Sequence, residues 1–104
     1  MPLAVTHHAE ASRFEARAEG HLAICSYRRA GDTLVLHHTE VPWPLQGRGI
    51  AGELVQGALD WARGQGLRVR PTCSYVAAYM RRHPETHDLL ESPTAPDSAG
   101  RSAG

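Results

Sequence analysis

Residues 33–71 read TLVLHHTEVPWPLQGRGIAGELVQGALDWARGQGLRVRP, and the spacing of their apolar side chains changes twice. The segment Thr33 to Val41 is predicted to be a strand, which Pro42-Trp43-Pro44 ends because proline cannot extend a ladder. From Ile50 to Gln65, apolar residues recur at helical spacing and form one wide face. The short run Leu67 to Pro71 then reads as another strand. This strand, helix, strand order predicts a right-handed crossover and a parallel pair of strands.

The same kinds of pattern predict elements on both sides of this unit: strands at Ser12 to Glu19 and His21 to Arg28, a turn at Ala30-Gly31-Asp32, and a second helix at Ser74 to Arg82 that Pro84 stops. Glu85 to Glu91 adds a further turn. No element is predicted before Ser12, so His7 and His8 are placed in a loose N-terminus. The expected fold class is α/β (α+β), with a mixed, mostly antiparallel sheet and two main helices.

The composition describes one small domain without a dominant charge. The chain has 104 residues, with 11 basic and 11 acidic side chains, whereas a nucleic-acid module of this size normally shows a basic excess. The first residues lack a positive end followed by an apolar run, and no stretch approaches the roughly 20 apolar residues of a membrane span. Two cysteines without a CxxC pair suit a reducing compartment. We therefore expect a cytoplasmic protein that binds neither nucleic acid nor membrane.

The domain itself is expected to cover residues 1–90. From Glu91 onward the sequence ESPTAPDSAGRSAG consists of small and polar residues. Such a segment cannot bury enough apolar surface to offset the entropy of ordering it. Residues 91–104 are therefore predicted to be a disordered tail.

The join between the third predicted strand and the first helix contains two glycines and an arginine, in Gln46-Gly47-Arg48-Gly49. A helix N-terminus presents unpaired backbone N–H groups and a partial positive charge, and glycine lets an anion approach that backbone closely. The spacing fits neither a P-loop nor a GxGxxG loop. By its spacing alone the segment is either an anion site or a glycine-rich turn that starts a helix.

The order of residues around this loop matches a known pattern. Gln46-Gly-Arg-Gly49-Ile-Ala51 fits the Q/R-x-x-G-x-G/A loop of the GNAT acyltransferase superfamily. Further signature stretches are His38 to Pro42 (HTEVP), Gly47 to Ala51 (GRGIA), Pro71 to Tyr75 (PTCSY) and Arg82 to Glu85 (RHPE). Over Phe14 to Leu90, the chain closely resembles the small, minimal GNAT-like N-acetyltransferase domain proteins.

This resemblance implies a minimal GNAT fold, acetyl-CoA as the cosubstrate, and an amine of a protein or other bulky molecule as the acceptor. It implies that backbone N–H groups from Gln46 to Ala51 bind the pyrophosphate and that the strand end near Glu40 pairs with the pantetheine arm. Arg48 either adds a charge-assisted contact or is a solvated loop arginine. The basic run around His83 either meets the adenosine 3′-phosphate or is a solvated helix end. The implied cosubstrate-binding residues are Val41, Gln46, Gly47, Arg48, Gly49, Ile50 and Ala51.

The catalytic groups are less defined, because Pro71 to Tyr75 and Arg81 to Glu85 replace the asparagine, tyrosine and Gly-Phe ending of larger GNAT proteins. Either Tyr75 or Tyr79, one helical turn apart, could protonate the leaving sulfur. We favour Tyr79, the alternative being a ring packed in the core. Cys73 opens the second helix, where the dipole favours thiolate and allows a ping-pong route in which it is acetylated first. The alternative is a buried, inert cysteine.

The histidines of the third predicted strand offer a base but no metal site. By strict alternation, His38 shares a face with Glu40, Leu34 and Leu36. His38 and Glu40 could therefore act as a general base and its orienting partner, or form a solvent-facing polar pair. His37 would point to the opposite face, so the two adjacent histidines cannot both ligate one metal.

Two functions stay open from the sequence: an acetyl-CoA-dependent N-acetyltransferase, and a non-catalytic acyl-CoA binding or sensing module. Larger GNAT proteins insert helices between their first two strands, whereas here Gly20 leads directly into the next strand. The resemblance and this gap together imply an unwalled acceptor site. Such a site suits a bulky amine, or one completed by a partner subunit such as a second copy in a homodimer.

Overall fold

The computed structural model describes residues 4–91, which form a five-stranded sheet and two helices. The strands follow one another across the sheet in chain order, and only the last pair is parallel. The elements are β1 Val5–His8, β2 Arg13–Ala18, β3 His21–Ala30, β4 Thr33–Glu40, α1 Ile50–Gly64, β5 Arg68–Pro71 and α2 Ser74–Arg82, with short 3-10 turns at Ala9–Ala11, Trp43–Leu45 and Pro84–Leu89. This confirms the predicted fold class. The predicted tail lies outside the described residues from position 92 onward.

The crossover from β4 through α1 to β5 is built as the apolar spacing predicts. The buried residues of α1 fall on one side, and they are Ile50, Leu54, Val55, Ala58, Leu59 and Ala62. They join one core with Leu34 and Leu36 of β4 and with Val69 of β5. Complete burial of a leucine side chain contributes about 1.5–3 kcal/mol, so this packing fixes α1, and with it the loop before α1, against the sheet.

A strand that the sequence reading missed forms the first edge of the sheet. Val5–His8 pairs antiparallel with β2, so the prediction of a loose N-terminus is wrong. The His7 ring stacks on Phe14 at 4.3 Å and lies 4.4 Å from the Trp61 ring, while its Nε2 is 2.6 Å from the Tyr27 hydroxyl. The segment escaped prediction because it is only four residues long and uses a histidine ring as an apolar surface.

A β-bulge in β4 changes which residues face the core. Tyr27 pairs with Leu36 but Ser26 pairs with His38, which leaves His37 as an extra residue on β4. An extra residue shifts the alternation of the strand beyond it by one. Thr39, the partner of buried Cys25, therefore lies on the core face.

His38 and Glu40 lie on the opposite face of the sheet from Leu34 and Leu36, because they follow the bulge at His37. The prediction that His38 shares a face with these leucines is wrong for this reason. A bulge depends on the partner strand, and no local pattern in residues 33–41 marks it.

Within residues 4–91, neither helix is long and apolar enough to cross a bilayer. The described part of the chain also brings together no group of three or more histidine, cysteine, aspartate or glutamate side chains that could hold a metal ion.

Candidate functional site

The parallel strands β4 and β5 are the last pair of the sheet, and they part after a short stretch of pairing. Their pairing ends at Leu36 and Pro71. The Leu36 carbonyl then accepts hydrogen bonds from the backbone N–H groups of Thr72 and Cys73, at 3.1 and 3.0 Å, and the chain turns away into α2. The remainder of β4 is thus left beside the first turn of α2, with an opening between them.

The loop between β4 and α1 follows the end of β4 directly. Its 3-10 turn Trp43–Leu45 is anchored by the fully buried Leu45. The Gln46 side-chain amide donates to the Val41 carbonyl at 3.0 Å and closes the loop on itself. These contacts place the two glycines of the loop at the start of α1.

Gly49 is the N-cap residue of α1 and has φ 77°, in the left-handed region that favours glycine. Glycine supplies no side-chain cap, so the first backbone N–H groups of α1 have no side-chain acceptor at this position. The positive end of the helix dipole lies at the same place. The start of α1 is therefore suited to bind an anion.

A cavity of about 200 Å³ lies at this helix start. It is lined by Tyr75 and by residues of the loop and helix start, namely Val41, Leu45, Gln46, Gly47, Gly49, Ile50 and Ala51. All the residues that the resemblance implied in cosubstrate binding line this cavity except Arg48. The implied groups therefore share one surface with a tyrosine of α2.

Arg48 points elsewhere. Its guanidinium donates to the carboxylate of Glu19, at the turn between β2 and β3. This hydrogen bond raises the pKa of Arg48 and lowers that of Glu19. Both side chains are exposed, so the pair links the turn to the loop at the protein surface.

Cys73 lies at the opening, as the N-cap residue of α2. Partial burial disfavours its charged form, but the backbone N–H of Val76, the Thr39 hydroxyl and further N–H groups outweigh burial and lower the pKa of the Cys73 thiol. The thiol lies 3.7 Å from the Thr39 oxygen. By contrast, Cys25 on β3 is fully buried, and desolvation raises its pKa to about 11.

The two candidate tyrosines are in different surroundings. Tyr75 lines the cavity. Its hydroxyl lies close to Gly52 of α1, 3.5 Å from the position that a Cβ atom would take there. Tyr79 is buried, donates its hydroxyl to the Gln56 side chain at 2.5 Å, and stacks its ring on His83. Burial, together with nearby acidic groups, raises the pKa of Tyr79. The structure therefore brings Tyr75, but not Tyr79, to the cavity at the start of α1.

The His38 and Glu40 side chains do meet, with 3.3 Å between Nε2 and Oε1. Both are exposed, and they lie on the sheet face opposite Thr39. His83, from the basic run considered for the 3′-phosphate, instead pairs with Glu85 at 3.1 Å.

Thr39 is the residue at the opening that sequence reasoning missed. Its hydroxyl lies between the sulfur atoms of Cys25 and Cys73, at 3.9 and 3.7 Å. Strict alternation along β4 would turn Thr39 away from the core. Its place in the HTEVP stretch is therefore the only feature of the sequence that points to it.

Comparison with known proteins agrees with this architecture. The sequence profile described as GCN5-related N-acetyl-transferase matches residues 13–89. Protein NATD1 of Mus musculus and of Homo sapiens is 36% identical over 86 residues, which is 80% of this chain and 78% and 76% of those proteins. Protein NATD1 of Danio rerio is 33% identical over 90 residues, 84% of this chain and 82% of that protein.

Among solved structures, a GCN5-like protein from Staphylococcus aureus determined by NMR superposes with a TM-score of 0.68. It is 22% identical, and the superposition covers 85% of this chain and 87% of that chain, which shows a shared fold. The profile match and the NATD1 identities extend over most of the chain and include the loop, the opening and α2. The chain therefore belongs to the GCN5-related N-acetyl-transferase family.

Proposed function

We propose that this protein transfers the acetyl group of acetyl-CoA to an amine acceptor. The observation that carries the proposal is the single cavity surface on which the glycine loop, the start of α1 and Tyr75 meet beside the opening between β4 and β5. Acyl transfer needs an anion site for the cosubstrate, a polarised thioester and a proton for the departing thiolate. The residues around this cavity can supply the first and the last of these.

Cosubstrate binding is assigned to the loop. The backbone N–H groups from Gln46 to Ala51, at the start of α1, would hold the pyrophosphate. The end of β4 near Val41 would pair with the pantetheine arm, which places the thioester in the opening beside Cys73. Within the described residues, a Cβ atom placed on Gly47 or Gly49 would meet no heavy atom within 4 Å other than those of its chain neighbours, so an anion can approach the backbone there.

Cys73 is assigned as the nucleophile of a ping-pong route. Its thiolate attacks the acetyl carbon, the bond from that carbon to the CoA sulfur breaks, and the CoA thiolate takes the Tyr75 hydroxyl proton. The amine then attacks the S-acetyl carbon, the bond to Cys73 breaks, and the amine proton passes to the Tyr75 phenolate. The lowered pKa of Cys73 supports this assignment. In the alternative, direct route, the amine attacks the thioester and Cys73 takes no covalent part.

Tyr75 is assigned as the acid because it lines the cavity. The hydroxyl of Tyr79 donates to Gln56, and burial raises the pKa of Tyr79, which supports a packing role. His38 and Glu40 are exposed on the opposite face of the sheet. They can therefore act as a base only for an acceptor that approaches that face.

The acceptor is assigned as a bulky amine, such as one on a protein. The turn from β2 to β3 consists only of Glu19 and Gly20, so no inserted helix walls the opening on that side. A second copy of the chain would be one way to complete the wall. We place the reaction in the cytoplasm, where both free cysteines stay reduced.

Mass spectrometry of the protein after incubation with acetyl-CoA tests the route. We expect an acetyl adduct on Cys73 that disappears when an amine is added, and none on the Cys73→Ser variant. Undiminished amine acetylation by Cys73→Ser, with no adduct on the wild type, would leave only direct transfer. Binding of acetyl-CoA without adduct or transfer would favour the non-catalytic module.

A further inference from the structure

Three side chains from three elements meet at the opening between β4 and β5. Thr39 of β4 lies between Cys25 of β3 and Cys73 at the start of α2. The bulge at His37 turns Thr39 toward this face. The bulge thus places a hydroxyl between two thiols, one fully buried and one partly exposed.

The hydrogen bonds run in one direction when Cys73 is protonated. The Cys73 thiol donates to the Thr39 oxygen at 3.7 Å, and the Thr39 hydroxyl donates to the Cys25 sulfur at 3.9 Å. A hydroxyl has one proton and two lone pairs, and it rotates to suit its partners. Thr39 can therefore donate to either sulfur.

Loss of the Cys73 proton leaves a thiolate that can only accept. Cys25 stays protonated, because burial raises the pKa of its thiol to about 11. Cys25 can then donate to Thr39 while Thr39 donates to Cys73. Cys25, Thr39 and Cys73 thus form a row in which each side chain keeps a hydrogen-bond partner in both states. The hydrogen bond to the charged sulfur is the stronger one.

We propose that Thr39 is a positioning residue that stabilises the Cys73 thiolate by rotating its hydroxyl toward that sulfur, with the buried Cys25 thiol as the donor behind it. The other groups that hydrogen-bond to Cys73 are the backbone N–H groups of Tyr75 and Val76 in α2 and the backbone of Thr39 itself, which Thr39→Val would leave in place. Only the use of this thiolate in acetyl transfer rests on the proposed function, because the ionisation of Cys73 does not need acetyl-CoA.

The test is the pH dependence of Cys73 alkylation by iodoacetamide, followed peptide by peptide with mass spectrometry. Thr39→Val removes the hydroxyl and keeps the side-chain shape, so the midpoint of the rate profile should move to higher pH. The rate at pH 7 should fall about fivefold, as expected for one hydrogen bond. Thr39→Ser keeps the hydroxyl and should restore the wild-type midpoint. An unchanged midpoint in Thr39→Val would overturn the proposal.

A second pair of variants decides the question if Thr39→Val does not fold. Cys25→Ser retains a donor behind Thr39 and should keep the midpoint, whereas Cys25→Ala removes it and should raise the midpoint. Equal midpoints in these two variants would contradict the row of hydrogen bonds. A shifted midpoint without acetyl transfer would reject the proposed function alone, and transfer with an unshifted midpoint would reject the role of Thr39 alone.

Discussion

Arg48, in the loop that starts α1, is ion-paired with Glu19, which lies 29 positions earlier at the turn between β2 and β3. The pair keeps the loop's arginine off the cavity surface and places a carboxylate near the proposed pyrophosphate site. Both features oppose the binding of an anion at the start of α1.

Glu19→Gln should therefore tighten acetyl-CoA binding. The guanidinium is then free to turn to the pyrophosphate, and a negative charge is removed, so we expect roughly a two- to fivefold lower Kd at low salt. Arg48→Ala should weaken binding, and the double variant should lie between Arg48→Ala and Glu19→Gln, because it keeps only the effect of removing the carboxylate charge. Calorimetric titration measures all three, and unchanged affinity in Glu19→Gln would show that the pair has no part in binding.

Gly49→Glu should abolish acetyl-CoA binding. The variant adds a negative side chain at the positive end of α1, at a position where φ is 77°. The backbone strain should also lower the free energy of unfolding by about 1–3 kcal/mol. Gly64→Glu is the matched control, since it adds the same side chain to the last turn of α1, where a Cβ has open space. Equal affinity in the two variants would remove the loop from the binding site.

Tyr75→Phe and Tyr79→Phe should have different effects. Loss of the Tyr75 hydroxyl should lower kcat by about 10²-fold or more with little change in Kd for acetyl-CoA. Loss of the Tyr79 hydroxyl leaves Gln56 without its donor and should mainly reduce stability, by about 0.5–1.5 kcal/mol. Steady-state kinetics and thermal unfolding separate these outcomes. The reverse pattern would return the acid role to Tyr79.

Stability should decline in mild acid because of His7. Burial lowers the pKa of His7 below its ordinary value of 6.5. The contribution of neutral His7 to the free energy of unfolding is therefore complete above pH 6.5. It is lost as the pH falls below that value toward the lowered pKa of His7 in the folded state. His7→Phe keeps an aromatic ring against Phe14 and Trp61 but cannot titrate. Its Tm should fall less than that of the wild type between about pH 7.5 and 5, and parallel curves would contradict this assignment.

The strand, helix, strand unit was predictable because its hydrophobic spacing is set by the elements themselves. The helix predicted at residues 50–65 is observed at Ile50–Gly64, where its apolar face joins the core that covers the sheet. By contrast, β1 was missed because four residues carry little periodicity. The use of the His7 ring against Phe14 and Trp61 depends on a fold that brings distant residues together.

The resemblance of the loop predicted the residues on one side of the cavity. It did not predict which tyrosine of α2 lies on the other side. Tyr75 and Tyr79 are equivalent in sequence spacing, and only the packing of α2 decides that the Tyr79 hydroxyl meets Gln56 while Tyr75 lines the cavity. Thr39 was missed because the bulge at His37 inverts the faces of β4 beyond it. A bulge is set by cross-strand pairing, which the local pattern of one strand does not contain.

The most direct test of the account is the release of free CoA from acetyl-CoA, measured with a thiol reagent in the presence of amines, peptides and polyamines. We expect stoichiometric release without an amine as Cys73 is acetylated, and continuing release that depends on an amine, that persists in Gly64→Glu and that is lost in Gly49→Glu. Tight binding of acetyl-CoA with no release for any amine would contradict the account and leave an acyl-CoA binding module.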